Sequence, residues 1–209
     1  MSILRNLVLG VCLGLSSVQA DTLITAQEGT GQTPGAEQGQ SRQIWLRADR
    51  MASLDSRGRM IGRRDRGETY IIRDANKSCL RVKNPQNKIG TSADRESAFQ
   101  KTGKTRQVGP WKTTGYEAAI PLDENTTYQV SIWISDEVTT GLEDYQAYTK
   151  GTVTPAHYWM VDSLSLGGYP VLQETQIGAT TSWMQITSVE EAKAPAGIYE
   201  IPAGYTGCD

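Results

Sequence analysis

The sequence is poor in the side chains that most often carry chemistry. Among 209 residues there are one histidine, one phenylalanine and three cysteines. His157 has no second histidine and no cysteine at ligand spacing, so a zinc centre is not expected. No Gly-x-Ser-x-Gly occurs, which removes the exposed serine elbow of an α/β hydrolase. "GTGQTPG" at 29–35 is rich in glycine but lacks the Lys-Ser/Thr ending and the following helix of a phosphate loop. The acid pairs Asp123/Glu124, Asp136/Glu137, Glu143/Asp144 and Glu190/Glu191 are sequence neighbours. Neighbours on a strand point to opposite faces, so adjacency alone makes none of them a dyad. The leading expectation is therefore a protein that is not an enzyme and holds neither metal nor organic cofactor.

Long apolar runs are missing too, beyond the first residues. "MSILRNLVLGVCLGLSSVQADT" carries a positive Arg5, a short apolar core from Leu7 to Leu15 and the small-residue ending Val18-Gln19-Ala20. That pattern predicts a leader peptide, residues 1–20, cleaved after Ala20. Its apolar core is too short for a permanent membrane span, and Val11 before Cys12 is bulkier than a lipoprotein signal accepts. A periplasmic or secreted protein follows, with residues 21–209 as one domain large enough for a sizeable core. In an oxidising compartment the two remaining cysteines, Cys79 and Cys208, are more readily read as a bridge than as two independent thiols.

What is present is turn chemistry at even spacing. "DSRG" (55–58), "DRG" (65–67) and "DANK" (74–77) put Gly58, Gly67 and Asn76 nine residues apart twice over, which predicts hairpins in an antiparallel sheet. A first strand is expected over Thr22 to Gln27, followed by a mobile glycine-rich loop at 29–41. In "TYQVSIWIS" Tyr128, Val130, Ile132 and Ile134 share one face, and Trp133 is the exception on the other. "GYEAAIPL" (115–122) and "TSWMQITSVE" (181–190) read as further strands. Two short amphipathic helices are expected. One lies in "GLEDYQAYTK", with Leu142 and Tyr145 on one side. The other starts at Thr154 and Pro155, with Ala156, Trp159, Met160 and Leu164 on one face and Gly167-Gly168 as its stop.

Charge is unevenly placed. Between Arg42 and Lys83 twelve basic residues face five acids, a segment of +7 in a chain of net charge −2. Nucleic acid is a poor partner for it, because aromatics are not regularly interleaved and the whole chain is acidic. The favoured reading is arginines that are solvated or complement the acidic second half of their own chain, their long stems covering apolar surface. Docking of an anionic envelope partner through Arg63, Arg64, Arg66 and Arg73 is the alternative.

Taken in order, Trp45 and Arg50; Ile61, Arg64, Asp65, Gly67, Tyr70 and Ile72; Gly115-Tyr116; Trp133 and Asp136; Gly168-Tyr169-Pro170; and "IPAGY" at 201–205 form a chain of short elements. Over residues 42–205 this order resembles a bacterial envelope family of unknown function related to the LolA/LolB-type lipoprotein carriers. A cysteine that family often carries just after the Gly-Tyr element is Ala118 here, which leaves Cys79 and Cys208 as this chain's own pair.

The resemblance implies a mainly β (α+β) fold, an antiparallel half-barrel sheet covered by short helices. It also implies a hollow that shelters lipid or lipoprotein acyl chains. On that reading Trp45, Tyr70, Trp133, Trp159, Met160 and Trp183 line the hollow; for each one singly, filling an ordinary core is the commoner role. Three functions are carried forward: a non-enzymatic binder of a hydrophobic or amphipathic envelope molecule, a docking module for an acidic envelope protein, and a hydrolase using Asp, Glu or Tyr.

Overall fold

The computed structural model describes residues 20–31, 39–83, 99–121, 127–150 and 166–208. The expected leader peptide and the expected helix at 154–164 lie outside these, apart from Ala20. The strands, in chain order, are β1 (Asp21–Thr30), β2 (Gln40–Arg47), β3 (Arg50–Asp55), β4 (Gly58–Arg63), β5 (Glu68–Arg73) and β6 (Ser78–Lys83). They continue with β7 (Gln100–Val108), β8 (Trp111–Pro121), β9 (Thr127–Ser135), β10 (Tyr169–Ile177) and β11 (Thr180–Ala192). They form one open antiparallel sheet in the order β6-β5-β4-β3-β2-β1-β11-β10-β9-β8-β7. Two meanders, β1–β6 and β7–β11, are thus joined along a single non-sequential pair, β1 with β11.

The nine-residue spacing of turns does produce hairpins. Arg64–Arg66 and Asp74–Asn76 are single 3₁₀ turns, closed by Gly67 (φ 63°) and Lys77 (φ 50°) in the left-handed region. The third left-handed position is Lys77 rather than Asn76. Asn76 instead accepts hydrogen bonds from the Ser78 amide (3.3 Å) and hydroxyl (2.6 Å), bracing the start of β6.

Strand β1 runs past Gln27 to Thr30, and β2 begins at Gln40, so both ends of the glycine-rich segment are strand. Its glycines have a steric reason. A Cβ at Gly29 or at Gly39 would come within 2.7 Å of the Trp183 ring, which lies against both.

Pairing register assigns the side chains to two faces, since opposed residues share a face. Ile24, Ala26, Ile44, Leu46, Met51, Met184 and Ile186 fall on one of them and belong to the largest buried cluster. The helix α1 (Leu142–Thr149) covers this face, burying Tyr145 and Tyr148. Glu143 and Asp144 occupy its first turn and Lys150 its C-cap, as the sequence predicts. It is the one α-helix among the described residues.

Helix and sheet meet closely at Gly62, where a Cβ would lie 1.9 Å from the Tyr148 hydroxyl oxygen. Gly62→Ala is therefore expected to push α1 off β4 and cost about 1–3 kcal/mol, read from urea midpoints.

The opposite face is covered by the C-terminal tail, residues 193–208. Ile198 and Tyr199 pack on Trp45 and Ala52, while Ile201, Tyr205 and Cys208 pack on Ile61, Tyr70, Ile72 and Cys79. The tail is tied at both ends. At one end the Ala194 amide (3.3 Å) and the Tyr199 hydroxyl (2.8 Å) donate to the Asp21 carboxylate. At the other, Thr206 bridges the edge of β6, with Cys79 N–H to Thr206 O at 2.8 Å and Thr206 N–H to Lys77 O at 3.1 Å. The Cys79–Cys208 disulfide sits beside that bridge, its Cα atoms 5.0 Å apart. The "IPAGY" element of the sequence is thus the clasp that closes one side of the sheet.

Candidate functional site

On the helix face, at the far end of the sheet from β6, lies a cavity of about 530 Å³. That size is within the range of small-molecule sites. Strands β7, β8 and β9 make its wall, and Leu166 and Gly167, just before β10, border it. Register explains who lines it. Lys101 opposes Tyr116, Thr105 opposes Thr114, Gln107 opposes Lys112, and Thr114 in turn opposes Ile134. All seven side chains therefore share the helix face, and all seven border the cavity.

The floor is apolar and the rim polar. Ile134 is buried, as are its same-face neighbours Ile132 and Val130, and together with Leu166 they form a separate buried cluster against which Phe99 and Tyr116 pack. The Tyr116 hydroxyl donates to the Leu166 carbonyl at 3.3 Å, which satisfies its polar atom. The alternation read from "TYQVSIWIS" is realised here, with Val130, Ile132 and Ile134 buried on one side. Asp136 stands at the mouth.

The sequence-predicted lining residues are elsewhere. Trp45 and Tyr70 are on the tail face, in the two clusters beneath the C-terminal tail. Tyr70 donates its hydroxyl to Glu68, which Arg81 also holds. Trp133 opposes Gly115 and faces away from the cavity. Its indole N–H donates to Glu174 at 3.1 Å, and the Arg106 guanidinium lies 4.0 Å from its ring centroid. Trp183 is buried against Gly29 and Gly39. None of these four borders the cavity, and Trp159 and Met160 lie outside the described residues. Of the cavity's own residues, Tyr116 and Asp136 in the family-like elements, Ile134 on the apolar face of "TYQVSIWIS" and Gly167 had a signal in the sequence, but none was read there as lining a hollow.

The arginines are mostly engaged within their own half of the chain. Arg42, on the helix face, contacts Glu28 (2.7 Å), Asp55 (2.7 Å) and the Ser53 hydroxyl (2.9 Å). Arg47 pairs with Asp21, Arg50 with Asp49, Arg57 with Glu28 and Asp55, and Arg63 with Asp65. Among the described ion pairs of this segment only Glu200 comes from the acidic second half, 3.8 Å from Arg63. The basic segment is matched within the chain, but by nearby acids of the first half and not, as expected, by the acidic second half.

The four arginines grouped by sequence do not form one patch. Arg63 is buried. Arg64 and Arg66 sit in the turn before β5, and Arg73 is the last residue of β5, at its opposite end. Six strand residues put roughly 17–20 Å between those ends.

These pairs perturb the acids in one direction. Arg63 holds Asp65, and Arg50 holds Asp49, below the usual carboxylate range. Burial opposes the charge of Asp21, but hydrogen bonds from Arg47, Tyr199 and the Ala194 amide outweigh it and lower its pKa. Among the described residues no group of three or more His, Cys, Asp and Glu is placed to hold a metal ion.

Comparison with known proteins adds a family. Residues 40–205 match the model of a domain of unknown function, DUF4412. The chain belongs to that family. No curated protein sequence matches it. Among solved structures, two crystal forms of PNGF-II are similar, one in space group C2 (TM-score 0.48, 11% identity, 90% of this chain) and one in P21 (TM-score 0.45, 12% identity, 85% of this chain). This chain spans only 30% and 29% of the length of those two chains. The lipoprotein LppX of Mycobacterium tuberculosis is similar at TM-score 0.40 and 10% identity, over 82% of this chain and 88% of LppX. All three fits are too loose to carry a conclusion about this chain. Family membership therefore leaves the function to be argued from the site itself.

Proposed function

We propose that this protein binds a hydrophobic or amphipathic envelope molecule, such as a lipid or a lipoprotein acyl chain, in the cavity beside β7–β9, and catalyses no reaction on it. The observation that carries the reading is the cavity's construction: a floor of Ile134, Leu166 and the Tyr116 ring, open under a rim of threonines, glutamine and lysines. An apolar floor gains from covering by hydrocarbon, about 25 cal/mol per Å² removed from water. The polar rim suits a head group left at the surface. The Cys79–Cys208 disulfide supports an oxidising compartment, and no helix among the described residues is long and apolar enough to cross a membrane.

The test is uptake of a neutral fluorescent probe, N-phenylnaphthylamine, by residues 21–209 and by a Thr114→Trp variant. Thr114 is half-buried on the cavity wall, so an indole there lies over the floor without entering the main core. The folded protein is expected to take up one probe per chain, and the variant to bind about tenfold or more weakly with an unchanged urea midpoint. No uptake by the folded protein, or equal uptake by the variant, overturns the proposal.

A further inference from the structure

Resting on that reading, we propose that the ligand is an anionic amphiphile, whose head group is selected by Lys101 and Lys112 at the two ends of the cavity floor. Basic side chains elsewhere in the described sheet are largely matched to carboxylates. Along β7 and β8 themselves, Lys104 pairs with Glu117 at 3.3 Å. Arg106, which also borders the cavity, has its guanidinium over Trp133 on the other face and 3.5 Å from Glu174. Among the described residues Arg59, Arg73 and Lys83, on β4–β6 at the other end of the sheet, form no ion pair either, but Lys101 and Lys112 are the two such cations beside the cavity. Among the described residues neither forms an ion pair, both are exposed, and both border the cavity.

Their placement follows from register. On β8 the helix-face series is Lys112, Thr114 and Tyr116, and Lys101 of β7 stands opposite Tyr116. Two steps of two residues separate the cations by roughly 13 Å along the strands. Thr114, Thr105 and Ile134 lie between them. A hydrocarbon chain on this floor therefore has a cation and nearby hydroxyl or amide groups at whichever end its head group emerges. Asp136 is the one acid in the lining, and Glu137 beside it accepts from the Lys112 backbone amide at 3.0 Å; against Lys101, Arg106 and Lys112 the site keeps a positive balance. A cationic head group is repelled by such a rim, a neutral one gains only ordinary hydrogen bonds, and a carboxylate or phosphate gains charge-assisted ones.

The experiment displaces the bound naphthylamine probe with three amphiphiles of one chain length: dodecanoate, dodecanol and dodecyltrimethylammonium, below their micelle concentrations. Dodecanoate is expected to compete roughly three- to ten-fold better than dodecanol at low ionic strength, and the ammonium worse than either. The gap should narrow as salt is raised. In the Lys101→Gln/Lys112→Gln double variant dodecanoate should fall to the level that dodecanol shows in the same variant. Equal competition by all three in the unaltered protein overturns the anion preference while leaving amphiphile binding intact. A preference that survives in the double variant overturns the assignment to these lysines. If neither probe nor amphiphile binds the folded protein, the binding reading and this inference fail together.

Discussion

Replacing Cys79 and Cys208 by serine, or reducing their bridge, is expected to lower stability by up to about 5 kcal/mol. The bridge spans 129 residues of sequence. In the chain-entropy description the loss grows with the logarithm of the closed loop, and a loop of this size is near the upper end of the usual range. The effect should concentrate on one side of the molecule. Ile201, Tyr205 and Cys208 cover Ile61, Tyr70 and Ile72, and Cys79 is itself part of that buried cluster. The tail's remaining ties at this end are the Thr206 bridge to β6 and the Tyr205 hydroxyl on Asp74. Urea unfolding with and without reductant measures the loss. Hydrogen exchange should show amides of β5 and β6 opening before those of β1 and β11. Equal midpoints, or uniform loss of protection, would contradict this account.

The second large effect is expected at Asp21. Its carboxylate, 2% exposed, accepts from Arg47 on β2, and from the Ala194 amide and Tyr199 hydroxyl in the tail. Asp21→Ala leaves all three donors without their acceptor, and is expected to cost about 2–3 kcal/mol. That is below the full value for a buried pair, because the Arg47 side chain is 38% exposed.

The same site sets a pH dependence. The pKa of Asp21 is lowered in the folded state, so the stability it contributes is present above the unfolded value, 3.8, and is lost as pH falls through the lower folded value. Asp49, Asp55 and Asp65 are lowered too and act in the same direction. Urea midpoints at about pH 6 and about pH 3 should therefore diverge, and the divergence should be smaller in Asp21→Asn. A variant as acid-sensitive as the parent would remove Asp21 from this role.

The parts of the fold legible in the sequence are those where one physical signal acts alone. The meander β3–β6 is visible because its turns need residues tolerant of a left-handed backbone, and Gly58, Gly67 and Lys77 recur at intervals of nine and ten positions. Strand β9 is visible because one of its faces is buried and the other is largely polar. Strand β7, "QKTGKTRQV", has no alternation to read, since it is an edge strand exposed on most of its length. That invisibility hid the cavity: which face Lys101 and Lys112 occupy depends on pairing of β7 with β8, which shifts register between Lys101 and Thr105.

The tryptophans misled for a different reason. Along β2, β3 and β4 both faces are covered, one by α1 and one by the tail, so an aromatic there can be buried on either. Trp45 faces the tail, while its neighbours Ile44 and Leu46 face the helix. The tail itself has no period. It closes the sheet through single residues at irregular intervals, and only Cys208 and "IPAGY" marked it in advance.

The lone pairing of β1 with β11 has a consequence for how a nascent chain matures. It runs from Asp21 opposite Ala192 to Thr30 opposite Ser182, joining the first strand made to the last. Strands β2–β6 can zip up hairpin by hairpin as they emerge, but one flank of β1 stays without its partner until residue 192 has been delivered. An open apolar strand edge is a template for pairing with other chains. Chains halted before β11 should therefore cross-pair and precipitate rather than persist as half-sheets.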